Sequence, residues 1–261
     1  MGEIAVIYIG TSGYSYKDWN GKFYPKSLKS IDQLSFYSKE FNFLELNYTF
    51  YRIPEAKNLE KMALAVPDDF KFALKLHQSF THEKTLDSSF VQALPGMNEK
   101  LVLLLAQFPY SFKCNDESKS YLLRLRDFFP KYQLTFEFRH NSWAKLEALD
   151  FVRDEDLNIT SVDEPVLSGL LPPIVLDSGT VGYVRFHGRN HSKWWNNKAS
   201  HERYTYEYST DELGEWLPRL EYLETSFRES YVAFNNHYSA GAVRSARLLK
   251  ELLKNNKILY R

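Results

Sequence analysis

The sequence has 261 residues, with 33 Lys and Arg balanced by 33 Asp and Glu, and 44% of its residues are hydrophobic. This composition is ordinary for a globular protein, and it excludes the basic excess that non-specific polyanion binders normally carry. The single cysteine, Cys114, excludes an internal disulfide, and no apolar run approaches the ~18 residues of a membrane span. The first residues do not have the pattern of a signal peptide, so we expect one cytoplasmic domain over residues 1–261.

Eight short apolar segments of the strand type recur along the chain, with helical or turn-rich segments between them. In chain order they are Val6–Ile9, Phe43–Asn47, Phe70–Leu76, Leu101–Gln107, Leu134–Arg139, Ile159–Asp163, Val181–His187 and Tyr231–Asn236. Their spacing is close to the roughly 30 residues of a strand–helix–strand unit. The sequence therefore predicts the α/β class, as a single (β/α)8 TIM-type barrel. The alternative is an open doubly wound sheet, whose dinucleotide-binding form is disfavoured because no G-x-G-x-x-G follows the first segment.

The segments between the strands carry readable helix signals. Ser30 and Ser209 each begin a capping-box pattern, with Gln33 and Glu212 at its fourth position. The segment Pro165–Ser178 is interrupted by Pro and Gly, so we expect it to be mostly loop.

Polar side chains collect at the C-terminal ends of the predicted strands. Because side chains alternate across a strand, Glu137 and Arg139 share one face, as do Arg185 and His187. The opposite faces are apolar and suit packing under helices, so the polar pairs are expected to point into the barrel mouth. That mouth is the catalytic face of such barrels. The predicted catalytic residues are Glu45, Glu137, Asp163 and His187.

The basic residues at the strand ends favour an anionic ligand. Arginine is especially suited to bidentate contact with phosphate, and the helix that begins near Gly241 after the last strand would present free N–H groups to an anion. We therefore predict that the mouth binds an anionic small molecule or nucleic acid. The predicted ligand-binding residues are Asn47, Tyr51, Lys75, His82, Gln107, Arg139, His140, Trp143, Arg185, Arg189, Asn235, Asn236, His237 and Gly241.

Residues 188–209 form a long connection that is rich in aromatic and basic side chains. They include Trp194, Trp195, Tyr204, Tyr206 and Tyr208, interleaved with Lys193, Lys198 and Arg203. Two interpretations stay open, because such a segment can stack bases or sugars beside an anionic backbone or can pack as a lid over the barrel rim.

Three classes of function are compatible with these residues. The first is a phosphoester hydrolase in which Glu137 or His187 acts as base for water, with an optional divalent metal. No H-E-x-x-H or clustered Cys/His spacing assigns ligands to such a metal. The second is a nucleic-acid or phospho-ligand binding module without turnover. The third is a glycoside hydrolase. It needs a carboxyl group that acts as general acid, and pairing of the carboxylates with Arg or Lys disfavours that role.

A series of ordered motifs runs through nearly the whole chain. They include Gly10–Tyr14, Gly21–Pro25, Glu45–Tyr51, Gln107–Pro109, Glu137–His140, Asp163–Pro165, Tyr183–Arg189 and Phe234–His237. With these motifs the chain resembles the YecE-like family, the domain of unknown function 72. The resemblance implies a TIM-barrel fold, with a suggested relation to endonuclease IV-like barrels. It does not imply a reaction, because the family's activity is not established.

Overall fold

The computed structural model describes residues 5–196 and 200–261, and the basic residue Lys198 of the aromatic segment lies outside the described residues. Eight parallel strands pair in chain order and close into a barrel. They are β1 (Val6–Ser12), β2 (Phe43–Leu46), β3 (Lys71–Lys75), β4 (Leu101–Gln107), β5 (Leu134–Glu137), β6 (Asn158–Asp163), β7 (Gly182–Phe186) and β8 (Glu229–Phe234). The predicted (β/α)8 fold is confirmed, and each predicted apolar segment overlaps one strand.

Helices surround the strands in the described part of the chain. The α-helices are α1 (Gln33–Tyr37), α2 (Ala56–Leu64), α3 (Gln78–Thr81), α4 (Ser88–Ala93), α5 (Asp116–Phe128), α6 (Leu146–Asp154), α7 (Thr210–Gly214), α8 (Leu217–Ser226) and α9 (Gly241–Asn255). Between β6 and β7, residues 164–181 contain no helix, as the Pro and Gly interruptions predicted. No helix among the described residues is long and apolar enough to cross a membrane.

The barrel has two apolar layers separated by its wall of strands. The larger layer lies between the strands and the helices, and it takes the outward-facing side chains such as Phe136 and Phe186. The smaller layer fills the lower half of the barrel interior, where Phe43, Tyr183 and Tyr231 pack together. Toward the C-terminal ends of the strands the inward-facing positions become polar, so the interior ends in a polar mouth.

A close approach between β1 and β2 requires a glycine at position 10. A Cβ atom placed on Gly10 would lie 2.0 Å from the backbone oxygen of Phe43. The Tyr37 hydroxyl closes the same space, because it accepts from the Thr11 amide and donates to the Phe43 oxygen. Gly214, at the end of α7, has open space where its Cβ would lie.

We expect Gly10→Ala to lower the free energy of unfolding by about 1–3 kcal/mol, the usual cost of overpacking a closed interior. The matched control, Gly214→Ala, should leave stability unchanged or raise it by up to about 1 kcal/mol, because alanine is the better helix former. Urea denaturation of both variants measures the difference. Equal stabilities would contradict the close β1–β2 contact.

Candidate active site

A buried arginine, Arg185 of β7, organises the barrel mouth. Its Nε and Nη2 atoms donate to the two carboxylate oxygens of Glu45 on β2, both at 2.7 Å. Its Nη1 donates to Glu137 at the end of β5, at 2.5 Å. The Tyr183 hydroxyl also donates to Glu45. Because a buried charge is tolerated only when it is paired and hydrogen-bonded, these contacts fix Arg185 as a structural cation.

A second buried arginine extends the network toward β6. Arg139 contacts Glu137 through Nη2 at 2.8 Å, and its Nη1 donates to Glu164, the residue that directly follows β6. The other oxygen of Glu164 has no hydrogen-bond partner among the described residues. Burial raises the pKa of Glu164 to about 7, although Arg139 opposes the shift. Glu164 stands at a predicted strand end but was not among the predicted site residues, and its pKa lets it exchange a proton near neutral pH.

Glu137 and His187 are held in fixed protonation states. Burial alone would raise the pKa of Glu137, but Arg185 and Arg139 outweigh it and hold that pKa well below its ordinary value. Burial and Arg139 lower the pKa of His187 to about 3, so its ring is neutral at pH 7. The Asn235 amide donates to Nδ1 of His187, which leaves Nε2 to donate to Glu137 at 3.1 Å.

A cavity of about 340 Å³ opens above this network. Its walls combine aromatic rings, side-chain amides and basic groups, namely Tyr16, Asn47, Tyr51, Lys75, Gln107, Arg185, Arg203, Tyr204, Asn235 and His237. Seven of these are predicted ligand-binding residues, and the structure brings them together. Tyr16 stacks on the His237 ring at 4.4 Å between centroids, so one wall is a flat aromatic surface.

Lys75, the last residue of β3, differs from the arginines in its contacts. Its Nζ donates to the side-chain oxygen of Gln107 at 2.8 Å and lies 4.2 Å from the centre of the Phe50 ring. It forms no ion pair with a described residue. Burial and the neighbouring Arg185 lower its pKa to about 7, against the opposing effect of Glu137 and Glu45. The amine is therefore present in both protonation states at neutral pH.

The aromatic segment after β7 lies over the mouth. Trp194 is buried, with Arg139 beneath it and the guanidinium of Arg203 5.4 Å from its ring centre. Arg203 Nε has no hydrogen-bond partner in the described part of the chain. Tyr204 and Arg203 line the cavity, so the described residues of this segment pack over the mouth and contribute to its wall.

Asp163 does not join the mouth, contrary to the expectation from strand ends. Val162 is the register partner of Arg185, and Asp163 is the partner of Phe186, so Asp163 lies on the outward face of β6. There it binds Arg189 through two nitrogens. Tyr208 and Trp216 donate to the same carboxylate, both at 2.6 Å. Asp163 and Arg189 thus fasten the aromatic segment to the barrel wall.

Three further predicted residues have structural contacts away from the cavity. Trp143 stacks on Phe138 in the outer layer, at 3.9 Å between ring centres. His140 accepts from the Ser142 amide and caps a 3₁₀ turn over Asn141–Ala144. Asn236 donates to the Tyr206 backbone oxygen and to the Ser245 hydroxyl.

His82 and Gly241 do not line the cavity. The His82 ring packs against Phe50, and burial together with Lys75 lowers its pKa. Gly241 begins α9, and a Cβ atom there would lie 2.8 Å from the Asn236 backbone oxygen. The glycine therefore has a packing role, and an anion at this helix start stays a prediction.

The predicted optional metal finds no ligand set in residues 5–196 and 200–261. No group of three His, Cys, Asp or Glu side chains there could hold an ion. Glu45 and Glu137, the inward carboxylates that the sequence offered, instead bind the guanidinium of Arg185.

Comparison with known proteins gives several extended similarities. Residues 8–260 match the family described as "Protein of unknown function DUF72". The UPF0759 protein YunF of Bacillus subtilis is 30% identical over 270 positions, covering 95% of each chain. A solved DUF72 family protein of Thermotoga maritima is similar with 36% identity and a TM-score of 0.85, over 95% of this chain and 99% of that one. One from Enterococcus faecalis shares the fold at 24% identity and a TM-score of 0.84, over 95% and 96%.

Replacing Arg185 tests whether the network is held together by charge. Arg185→Met keeps much of the volume but leaves Glu45 and Glu137 buried without their cation, so we expect a loss of about 3–5 kcal/mol in the free energy of unfolding at pH 7. The control Arg247→Met removes a partly exposed pair with Glu40 and should cost under about 1 kcal/mol.

The same experiment has a signed pH dependence. Because the folded-state pKa of Glu137 is lowered, its stabilising contribution is present above its unfolded pKa and is lost as pH falls. In the wild type that loss lies mostly below about pH 4.5, the ordinary pKa of the carboxyl. In Arg185→Met the buried Glu137 lacks the main cation that lowers its pKa, so it takes up a proton at higher pH than in the wild type, and the destabilisation should shrink as pH falls from 7 to 4. A penalty that stayed constant over this range would assign the loss to packing instead of charge.

Proposed function

We propose that this chain, which belongs to the DUF72 family of proteins of unknown function as its motifs indicate, binds a small phosphate-containing anion at its barrel mouth. One contrast carries the proposal. Arg139 and Arg185 are committed to carboxylates, whereas Lys75 faces the cavity with only neutral groups as hydrogen-bond and ring partners among the described residues. Lys75 and Arg203 are thus the cations available to a ligand.

The charge balance under the cavity supports this assignment. Two arginines face three carboxylates, but the pKa of Glu164 near 7 leaves that carboxylate only partly ionised at neutral pH. The network is then close to neutral, and Lys75 and Arg203 give the cavity its positive charge. An anion beside Lys75 favours the protonated amine, so binding should raise the lysine pKa and take up a proton above pH 7.

The remaining walls suit the uncharged part of such a ligand. The stacked rings of Tyr16 and His237 provide a flat surface for a base or sugar. Asn47 has a side-chain oxygen without a described partner, and it can accept a hydroxyl or amino proton. A cavity of about 340 Å³ is at the small end of ligand sites, which favours a nucleotide or sugar phosphate over a nucleic-acid duplex.

The contacts give less support to hydrolysis. Each oxygen of Glu137 already accepts from an arginine, and both ring nitrogens of His187 have partners inside the network. A glycoside hydrolase needs two carboxylates beside the scissile bond, but Glu45 and Glu137 share the guanidinium of Arg185. Phosphoester and glycoside hydrolysis therefore stay predictions that these contacts do not favour.

Calorimetric titration with inorganic phosphate, AMP, ribose 5-phosphate and a short single-stranded oligonucleotide tests the proposal. At pH 6.5 we expect Lys75→Met to weaken binding by about ten- to a hundredfold, since a hydrogen bond to a charged group contributes about 1.5–3 kcal/mol. Wild-type affinity should fall as pH rises from 7 to 9, because Lys75 then loses its proton. Lys119→Met, which removes a surface lysine paired with Glu147, is the control and should bind normally.

The panel also separates the alternative functions. Tight binding of the oligonucleotide with weak binding of the mononucleotides would favour the nucleic-acid module. Salt-independent binding of neutral sugars, with no phosphate binding, would contradict the proposal and support the glycosidase hypothesis.

A further inference from the structure

We infer that the Lys75 amine forms an imine with an aldehyde or ketone group of the bound anion, which makes the ligand class a phosphorylated or carboxylated carbonyl compound. The inference rests on the proposed function, because the anionic group is what brings the carbonyl into the cavity. Lys75 lies at the C-terminal end of β3, the position from which barrel strands present reactive groups to the mouth.

The position of the amine is fixed by two neutral contacts. Gln107 accepts from Lys75 Nζ at 2.8 Å, and the Phe50 ring lies 4.2 Å away on another side. Gln107 also lies 3.5 Å from Arg185 Nη1, so its oxygen bridges the amine and a permanent cation. A carboxylate in the place of Gln107 would hold Lys75 protonated. The neutral amide of Gln107 does not, so the lysine nitrogen can lose its proton and use its lone pair for attack.

The surroundings of Lys75 favour its neutral, reactive form. Burial is the main cause, because it disfavours the charged amine; Arg185 and Arg139 add to this effect, whereas Glu137 and Glu45 oppose it. Both carboxylates are bound to Arg185, so their effect on the amine is offset by a nearby cation. The resulting pKa of about 7 agrees with the geometry, because nucleophilic lysines are activated by burial and by adjacent cations.

The reaction is balanced without an oxidant or a metal. The neutral nitrogen attacks the carbonyl carbon, a C–N bond forms, and the carbonyl oxygen takes the proton that the nitrogen loses. The resulting carbinolamine then loses its hydroxyl group together with the second nitrogen proton as water, and a C=N bond remains. When protonated, the imine keeps the positive charge that Lys75 carried, so the electrostatics of the cavity are preserved. Arg203 is the second cation of the cavity wall and would hold the anionic end of the ligand.

Reductive trapping tests this inference on the intact protein. Dihydroxyacetone phosphate, glyceraldehyde 3-phosphate, pyruvate and glyoxylate would each be incubated with the protein and sodium cyanoborohydride at pH 7, and adducts would be located by peptide mass spectrometry. We expect a single reduced adduct at Lys75 with at least one phosphate or carboxylate probe. Its labelling rate should exceed that of exposed lysines such as Lys57 by about tenfold or more, and inorganic phosphate should slow it.

Two variants control for folding and charge. Lys75→Arg keeps a cation but has no amine that forms an imine, so labelling at this site should disappear. Lys119→Arg should label as the wild type does at Lys75. The positions of the adducts in the wild-type protein decide the question by themselves, so the inference remains testable if Lys75→Arg does not fold.

A ligand without a carbonyl group separates the two proposals. Glycerol 3-phosphate can occupy the anion site but cannot form an imine. Its binding, combined with no trapped adduct from any of the four probes, would overturn the imine and leave the anion site in place. Adducts spread evenly over surface lysines would also overturn it. A selective Lys75 adduct without glycerol 3-phosphate binding would support the imine and contradict the proposed anion site.

Discussion

The bidentate pairing of Arg185 with Glu45, continued by its contact with Glu137, is the interaction on which the mouth depends. It joins strands β2, β5 and β7 across the barrel interior, where neither the arginine nor the carboxylates could remain charged alone. Tyr183 and Arg139 complete the hydrogen bonds of the two carboxylates. The C-terminal half of the barrel interior is thus filled by paired charges, whereas the other half is filled by apolar side chains such as Phe43 and Tyr231.

This pairing divides the cationic residues into two groups. Arg139 and Arg185 hold the carboxylates and are not free to change partners without leaving a buried charge. Lys75, the last residue of β3, instead contacts a neutral amide and an aromatic ring, and burial together with Arg185 lowers its pKa to about 7. The arginine layer therefore has two effects on the lysine, since it raises the local positive potential and removes the carboxylates that would otherwise pair with the amine.

The fold could be predicted because it depends on local patterns repeated eight times. Each apolar segment by itself predicts one strand. The Ser209–Glu212 capping box is confirmed, and it was predictable because both of its hydrogen bonds join residues three positions apart. The similar pattern at Ser30 was a wrong prediction. Lys29 occupies the N-cap position of a 3₁₀ turn there without a side-chain capping hydrogen bond, and the Gln33 side chain turns inward and accepts from the Ser15 hydroxyl. A tertiary partner overrode the local signal, and no spacing rule contains that partner.

The site was less predictable, because its chemistry depends on which charges are paired. Strand alternation correctly oriented Glu137, Arg139 and Arg185, but it could not fix the face of Asp163, since the register of β6 against β7 decides it. Glu164, one residue further along, belongs to the same strand end, but nothing in the sequence showed that it pairs with Arg139. Counting cations along the sequence gives four equivalent anion binders, whereas the structure commits three arginines to carboxylates and leaves Lys75 among neutral groups. The charge left unpaired in this mouth is thus set by long-range pairing, which no pattern in the sequence contains.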